Sequence, residues 1–398
     1  MELINYQTST MLSDRIGHVP RSFIRDILSV AVSPEIISFA GGLPNKDFFP
    51  VDQIKESTLR ILSEKPWESL QYSNTEGYLG LREYISATYA KRGYSVPVKN
   101  ILITTGSQQA LDLLGKVFIN KGTPVIIEEP SYLGAIQAFS VFRPQFNAVP
   151  LLKDGLDLDS FEQTFTDTGA RLTYLITDFQ NPSGISYSEE KRKKIAEYAM
   201  KNQMLLIEDD PYSLIRFSGT HKNSLFAYAP ENTIMLGTFS KTIVPGFRIG
   251  WIVAPDFYLE KLIIAKQAAD LHTDIFAQRI VHDYLTYNDL QQHLQEITKA
   301  YGLQANAMIA ALKGYFPAEV TFTKPEGGMF LWLTLPEDFS SMKLFELAIK
   351  QNVAFVPGVP FYIGKTDCNT LRLNFSCSGI DKIEEGIKRL ANCFYQLK

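Results

Sequence analysis

A chain of 398 residues, 45% hydrophobic and 12% aromatic, is long enough for two or three domains and a large buried core; the composition is that of an ordinary globular protein and argues against disorder. A net charge of -4 disfavours nucleic acid or an anionic membrane as the main partner, since both require a basic surface, and small molecules are the better expectation. Cys368, Cys377 and Cys393 are too few for a disulfide framework and lack metal-ligand spacing, which points to a reducing compartment.

The opening residues, MELINYQTSTMLSDR, contain no apolar core of signal-peptide length, and no later apolar run reaches a membrane span, so a soluble cytoplasmic protein is expected. From about residue 100 to 255, short β-rich runs alternate with amphipathic stretches: NILITT, SQQALDLLGKVF, PVIIEE and YLGAIQAF, then LTYLITD, EEKRKKIAEYAMK, MLLIEDD, NTIMLGTFS and FRIGWIVA. Near-continuous apolar strands separated by helices predict an α/β core, a mostly parallel sheet covered by helices on both faces. Helical patterns run from Pro255 to about Gly314. They are followed by strands EVTFT, MFLWLTL and VAFVPG, a helix from near Met342, strand TLRLNFS and a last helix from Gly379. That order resembles an α+β domain, with the boundary inside the long helical stretch. The expected division is an N-terminal arm and helix over 1–50 packing with the smaller domain, a large α/β domain over 51–290 and a small α+β domain over 291–398. The sequon Asn374-Phe-Ser376 has no secretory context and reads as a chance match.

Open α/β sheets bind ligands in the crevice beyond the carboxyl ends of their strands. After ILITT, Gly106-Ser107-Gln108-Gln109 opens a helix, so its free amides suit a phosphate, although Ser107 taken alone reads as an N-cap. After LTYLITD comes FQNPSG, where Asn181 precedes a proline and is held extended with its amide free to face the crevice; Asn-Pro-Ser-Gly is also an ordinary turn. After MLLI, the three adjacent carboxylates Glu208, Asp209 and Asp210 would repel unless one meets a cation or metal, or else form a solvated turn. A metal lacks support, because His18, His221, His272, His282 and His293 show no paired ligand spacing near these acids.

The stretch TFSKTIVPGFRIGW cannot be one helix, since Pro245 removes a donor and Gly246 adds freedom between Lys241 and Arg248; it reads as strand, turn, strand. The two cations, with the hydroxyls of Ser240 and Thr242, suit a phosphate, or Lys241 is a buried amine with chemistry to do, or the whole is a solvated loop. Nucleotide motifs fail: there is no G-x-G-x-x-G, and GVPFYIGKT has five residues between its glycines where a phosphate loop has four. No G-x-S-x-G elbow supports a serine hydrolase.

A cofactor with an aldehyde, a ring nitrogen and a phosphate needs a lysine for a Schiff base, a carboxylate opposite the nitrogen and donors for the phosphate, and that cofactor is pyridoxal phosphate. Along nearly the whole chain, SFAGGLP, LQYSNTEGYLGLR, ITTGSQQALDLLGKVF, FQNPSG, EDDPY, FSKTIVPGFRIGW, KQAADLHT, EGGMF and NVAFVPG resemble the class I/II aminotransferases of fold type I. They are most similar to the 2-aminoadipate and kynurenine/2-aminoadipate enzymes.

The resemblance implies that Lys241 carries the Schiff base and then moves the proton, and that Asp209 keeps the pyridine nitrogen protonated. Asn181 and Tyr212 would hold the phenolic oxygen and Tyr132 would stack on the ring. Ser107, Gln108, Ser240 and Arg248 would hold the phosphate, with Tyr72 reaching it or the substrate from the other subunit of a homodimer. Arg372 would bind the substrate α-carboxylate, Gly42 would let the backbone approach the substrate, and Arg25 would meet a side-chain carboxylate. The activity implied is transfer of an amino group from an L-amino acid to 2-oxoglutarate by a ping-pong route; a β-lyase or decarboxylase would use the same Lys241 and Asp209. A regulator carrying an aminotransferase-like domain is disfavoured, because the fold starts within about twenty residues of Met1 and the charge balance is acidic.

Overall fold

The computed structural model describes residues 13–17, 33 and 35–398. After a two-residue strand β1 (Ile37–Ser38), the chain lays down β2 (Ile101–Thr104), β3 (Pro124–Glu129), β4 (Gln145–Leu152), β5 (Gly155–Leu156), β6 (Leu172–Leu175), β7 (Leu205–Asp210), β8 (Thr233–Thr238) and β9 (Gly250–Val253). Strands β2 to β9 form one eight-stranded sheet in the order β2-β9-β8-β7-β6-β3-β4-β5. The run β8-β7-β6-β3-β4 is parallel. Strand β9 is antiparallel to both neighbours, because only a turn separates it from β8 and no crossover helix intervenes. The bend at Pro245-Gly246 therefore does what the sequence predicts, and Thr238 and Gly250 stand opposite each other at its two ends.

The central strands are buried on both faces, which is why they lack polar alternation. Tyr174, Ile207 and Leu236 pack with Ala110, Leu111 and Leu114 of helix Gly106–Phe118 on one face. The residues one step along, Leu175 and Leu206, pack with Ile195 and Ala199 of helix Glu189–Asn202 on the other.

The second sheet is antiparallel and contains β10 (Thr321–Phe322), β11 (Phe330–Thr334), β13 (Val356–Pro357) and β14 (Thr370–Asn374) in the order β10-β11-β14-β13. The stretch VAFVPG is not one strand: its first part, β12 (Val353–Ala354), pairs in parallel with β1, and only β13 joins β14. EVTFT likewise contributes only the two residues of β10. Helices Leu290–Tyr315 and Ile380–Leu397 bury Met308, Leu312, Ile387 and Leu390 against Leu331 and Leu373, and Phe39 joins this core. The long helical pattern from Pro255 breaks into three helices, and Asp274 and Asp289 start the second and third by accepting hydrogen bonds from backbone amides of the first turn.

Candidate active site

A cavity of about 330 Å³ opens at the carboxyl edge of the large sheet. Strand β7 and the turn after it bring Asp209 and Tyr212 to its wall, and the turn after β8 brings Ser240, Lys241 and Arg248. Helix Gly106–Phe118 contributes Ser107 and Gln108, and the segment after β3 contributes Tyr132. Asn181 enters from the loop after β6, Arg372 from β14 of the second sheet, and Gly42 from the segment after β1.

The three adjacent acids of β7 are kept apart by the strand, which points Asp209 to one side and Glu208 and Asp210 to the other, although the charge of Asp210 still helps raise the Asp209 carboxyl. Glu208 accepts from Thr177 Oγ1 at 2.6 Å and from Ser224, with Arg192 Nη1 at 4.0 Å. Asp210 is capped by Ser213, through its backbone amide at 2.9 Å and its hydroxyl at 2.6 Å, and faces Arg92 at 3.6 Å. Asp209 faces the cavity alone. Its Oδ2 accepts from the Tyr174 hydroxyl at 2.8 Å, and its Oδ1 is buried with no hydrogen-bond partner among the described residues. Burial pushes its carboxyl up to about 7, against the pull of the Tyr174 hydrogen bond. A cationic ring nitrogen beside Oδ1 would supply the missing donor and hold the group ionised.

On the opposite wall, the segment 40–43 is tied by its carbonyls. Ala40 O accepts from Arg372 Nη2 at 2.8 Å, Gly42 O from Lys241 Nζ at 2.6 Å, and Leu43 O from Ser376 Oγ at 3.1 Å and Cys377 Sγ at 2.9 Å. Burial, with the charges of Arg372 and Arg248, pushes the Lys241 amine down to about 8. Arg372 is 4% exposed and lies over the rings of Phe330 and Phe361, at 4.3 and 5.2 Å from their centroids. Its Nη1 donates to Asn181 Oδ1 at 2.9 Å, so the Asn181 carboxamide is not free as its place before a proline suggests; its oxygen is already engaged. Arg372 Nε is buried without a partner, and no carboxylate among the described residues pairs with this guanidinium. Burial pushes it down to about 10.

At the far end, Gly106 takes φ +72°, and a Cβ there would meet Arg248 Nη2 at 2.6 Å. A Cβ on Gly250 would meet the backbone of Gly106, Gly237 and Ser107 at 2.8 to 2.9 Å. The two glycines thus let Arg248 and the first turn of helix Gly106–Phe118 close into one cup with free amides, the setting a phosphate requires. Ser107 is not the N-cap: that position is Thr105, and Ser107 Oγ instead lies 3.5 Å from Gly237 O.

One expected residue is not brought to this cavity within its own chain, and another falls outside the described residues. Tyr72 is 80% exposed and packs edge-on against His272, and Arg25 lies outside the described residues. Sequence reasoning missed Tyr174, Phe330 and Phe361, whose apolar strand and loop settings carry no polar signal. It also missed Gly134, where a Cβ would strike the Tyr132 ring at 2.5 Å. The buried acid with an unmet oxygen, the amine of lowered pKa and the phosphate cup together fit pyridoxal phosphate.

Comparison with known proteins agrees. The family model for aminotransferase class I and II matches residues 34–390. An aromatic-amino-acid aminotransferase of Thermococcus litoralis is 41% identical over 387 residues, 95% of this chain and 93% of the relative. The α-aminoadipate aminotransferase of Thermus thermophilus, solved with N-(5'-phosphopyridoxyl)-L-leucine, superposes with a TM-score of 0.91 at 41% identity over 98% of both chains. The kynurenine aminotransferase of Pyrococcus horikoshii, solved with PMP, gives a TM-score of 0.94 at 40% identity over 99% of both chains. Where the cavity asks for a phosphorylated pyridine aldehyde and likeness runs nearly end to end, the conclusion is direct: the chain belongs to the class I and II aminotransferases and is a pyridoxal phosphate-dependent transaminase of fold type I.

Proposed function

We propose that this transaminase moves the α-amino group of an L-amino acid to 2-oxoglutarate, with 2-aminoadipate or a glutamate-like acid as preferred donor and other side chains also accepted. The observation that carries the reading is Arg372. A guanidinium buried without a carboxylate partner among the described residues, and with Nε unmet, is costly until an anion arrives. The α-carboxylate shared by every amino acid and 2-oxo acid supplies it, as two parallel hydrogen bonds.

When bound, pyridoxal phosphate supplies an electron-accepting ring and a reversible carrier for the amino group. Asp209 would hold the ring nitrogen, Asn181 and Tyr212 the phenolic oxygen, and Tyr132 a ring face. Ser107, Gln108, Ser240 and Arg248 would hold the phosphate. Lys241 would hold the aldehyde and, once released by the donor, take the proton from the donor's Cα. An amine brought down to about 8 suits both tasks near neutrality, because about a tenth of it is unprotonated at pH 7, several hundredfold more than for an ordinary lysine. Gly42 leaves room for the substrate at the cavity mouth, and Arg25 is the proposed partner of an acidic side chain.

A second reading, an aromatic or kynurenine donor, is supported by Phe361 in the cavity wall and by the relatives named for those substrates. The decisive experiment is the absorbance of the cofactor-loaded protein as 2-aminoadipate and then 2-oxoglutarate are added. Bleaching of the yellow band by the first and its return with the second support the proposal. A band that responds only to phenylalanine or kynurenine moves the assignment to the second reading, and a band restored by other oxo acids but not by 2-oxoglutarate removes the acceptor.

The same reading takes the working enzyme as a homodimer. Trp67, Leu70 and Tyr72, at 84%, 68% and 80% exposure, form a run of large apolar side chains that a second copy would cover. Tyr72 would then reach the other subunit's site.

A further inference from the structure

Glu128, on β3, lies outside the cavity lining and is 1% exposed. No cation pairs with it among the described residues; three donors do. Oε1 accepts from the Ile176 amide at 3.2 Å and the Tyr187 hydroxyl at 2.7 Å, and Oε2 accepts from Gln180 Nε2 at 2.9 Å. Burial of the carboxyl pushes it up to about 8, with the Gln180 and Tyr187 hydrogen bonds opposing. An acid kept there at such a cost invites the question of what its contacts do.

Gln180 is fully buried and its amide is saturated. The second Nε2 proton goes to Pro130 O at 2.8 Å, and Oε1 accepts from the Ser183 amide at 2.9 Å and the Ser183 hydroxyl at 2.6 Å. The two ends of an amide are nearly the same size, so only their partners select the orientation. Turned over, Gln180 would set its oxygen against the Glu128 carboxylate and its NH₂ against the Ser183 amide. Glu128, together with Pro130 O and the Ser183 amide, therefore selects which way Gln180 points, and Gln180 clamps the loop to Ser183 across Asn181. Thr323 Oγ1 ties the far side of the same loop to the second sheet through Ser183 O at 2.7 Å. Asn181 then offers Oδ1 to Arg372 Nη1.

We propose that Glu128 is a positioning residue for substrate: by orienting the Gln180 amide it sets the loop that places Asn181 against Arg372, and so aims the guanidinium at the substrate α-carboxylate. The inference rests on the role proposed above for Arg372. A glutamine at 128 cannot replace the acid. If its oxygen keeps Ile176 and Tyr187, its NH₂ faces the NH₂ of Gln180, and turning either amide only moves the clash to Ile176 or Ser183. Exchanging the pair does restore it: in the double variant Glu128→Gln/Gln180→Glu, the new amide donates to the new carboxylate, which still accepts both Ser183 donors. The cost moves to Pro130 O, which loses its donor and meets a carboxylate oxygen in its place.

The test uses the cofactor-loaded enzyme at about pH 9, where a carboxyl raised to about 8 is ionised, and two readouts: KM and kcat for the best donor, and the dissociation constant of glutarate, a carboxylate that cannot react, measured by calorimetry. Glu128→Gln is expected to raise KM and weaken glutarate binding roughly tenfold, the scale of one buried hydrogen bond, while kcat changes less than about threefold. The exchange variant is expected to recover part of both losses, the remainder being the contact forfeited at Pro130 O. Unchanged KM and glutarate binding in Glu128→Gln, or a defect that the exchange does not recover, would overturn the proposal. If Glu128→Gln does not fold, the exchange variant decides by itself, since glutarate binding within about tenfold of the parent supports the proposal and weaker binding rejects it. Failure of both to fold also rejects it, because Glu128 would then hold the fold and not the loop. Arg372→Lys separates the two readings: if it leaves glutarate binding intact, the assignment of Arg372 is what fails.

Discussion

Replacing Tyr174 by phenylalanine removes one hydroxyl from a site that has little redundancy. Tyr174 is fully buried on β6, its ring packs edge-on against Phe139 at 5.9 Å, and its hydroxyl donates to Asp209 Oδ2 at 2.8 Å. The ring contact survives the change, so the consequence concentrates on the carboxylate. A hydrogen bond to a charged acceptor contributes about 1.5–3 kcal/mol, and about 1.4 kcal/mol is a factor of ten, so protonating Asp209 becomes roughly ten- to a hundredfold easier. The sign follows. A donor to the anion holds the pKa down, so losing it raises the carboxyl above its present value of about 7, and the ionised form needed opposite a ring nitrogen is reached only at higher pH. Titrating pyridoxal phosphate into the unloaded variant at neutral pH should show affinity roughly tenfold or more weaker, with the acid limb of the binding profile displaced to higher pH. At fixed cofactor concentration, a tenfold weaker constant removes about 1.4 kcal/mol of the stabilisation that binding confers, which a melting curve registers. Cofactor affinity within twofold of the parent, with an unmoved acid limb, would refute the claim that Tyr174 tunes Asp209.

Three further outcomes can be checked. The rate at which the unloaded protein captures pyridoxal phosphate should rise with pH and reach half its plateau at about 8, because the neutral amine reacts and Lys241 is lowered to that value; a midpoint near the ordinary 10.5 would show the amine to be unperturbed. Gly106→Ala should weaken cofactor binding about tenfold and cost about 1 kcal/mol of stability, since a side chain at φ +72° is strained and its Cβ crowds Arg248; a titration and a melting curve report the two effects separately. Mixing and refolding inactive Tyr72→Ala and Lys241→Ala chains should restore about a quarter of the parent activity if Tyr72 serves the other subunit's site, because half of random dimers are mixed and each has one intact site. No recovery would confine Tyr72 to its own chain.

Much of this site is legible in the sequence because it sits at strand ends, where short motifs announce themselves. Pro245 and Gly246 dictate a turn, and the turn delivers Lys241 and Arg248 to the same edge. What a linear reading cannot supply is the partner that arrives from elsewhere. The acids of β7 are visible as a charged cluster, yet Arg192, Arg92 and Tyr174, which make them tolerable, come from other elements with no local mark. Ser107 is a reasonable cap by residue type, but the positive φ of Gly106 shifts the start of the helix and frees the serine. VAFVPG has the composition of one strand and is divided because two different strands compete for it, one of them more than 300 residues away. Glu128 is visible only as one of two glutamates closing a strand, and nothing local distinguishes it from Glu129, which faces Lys365.

The alternating acids of β7 also separate two kinds of inheritance along a single strand. Changes at Glu208 and Asp210 alter contacts on the side away from the cavity and will be felt as stability. A change at Asp209, one residue from each, alters the chemistry with the packing nearly untouched. The strand can therefore drift in robustness and in reactivity independently. A slip of one residue in its pairing would still present an acid to the cavity while removing the one that Tyr174 meets, so an error of register here would leave the site with the right charge and the wrong partner.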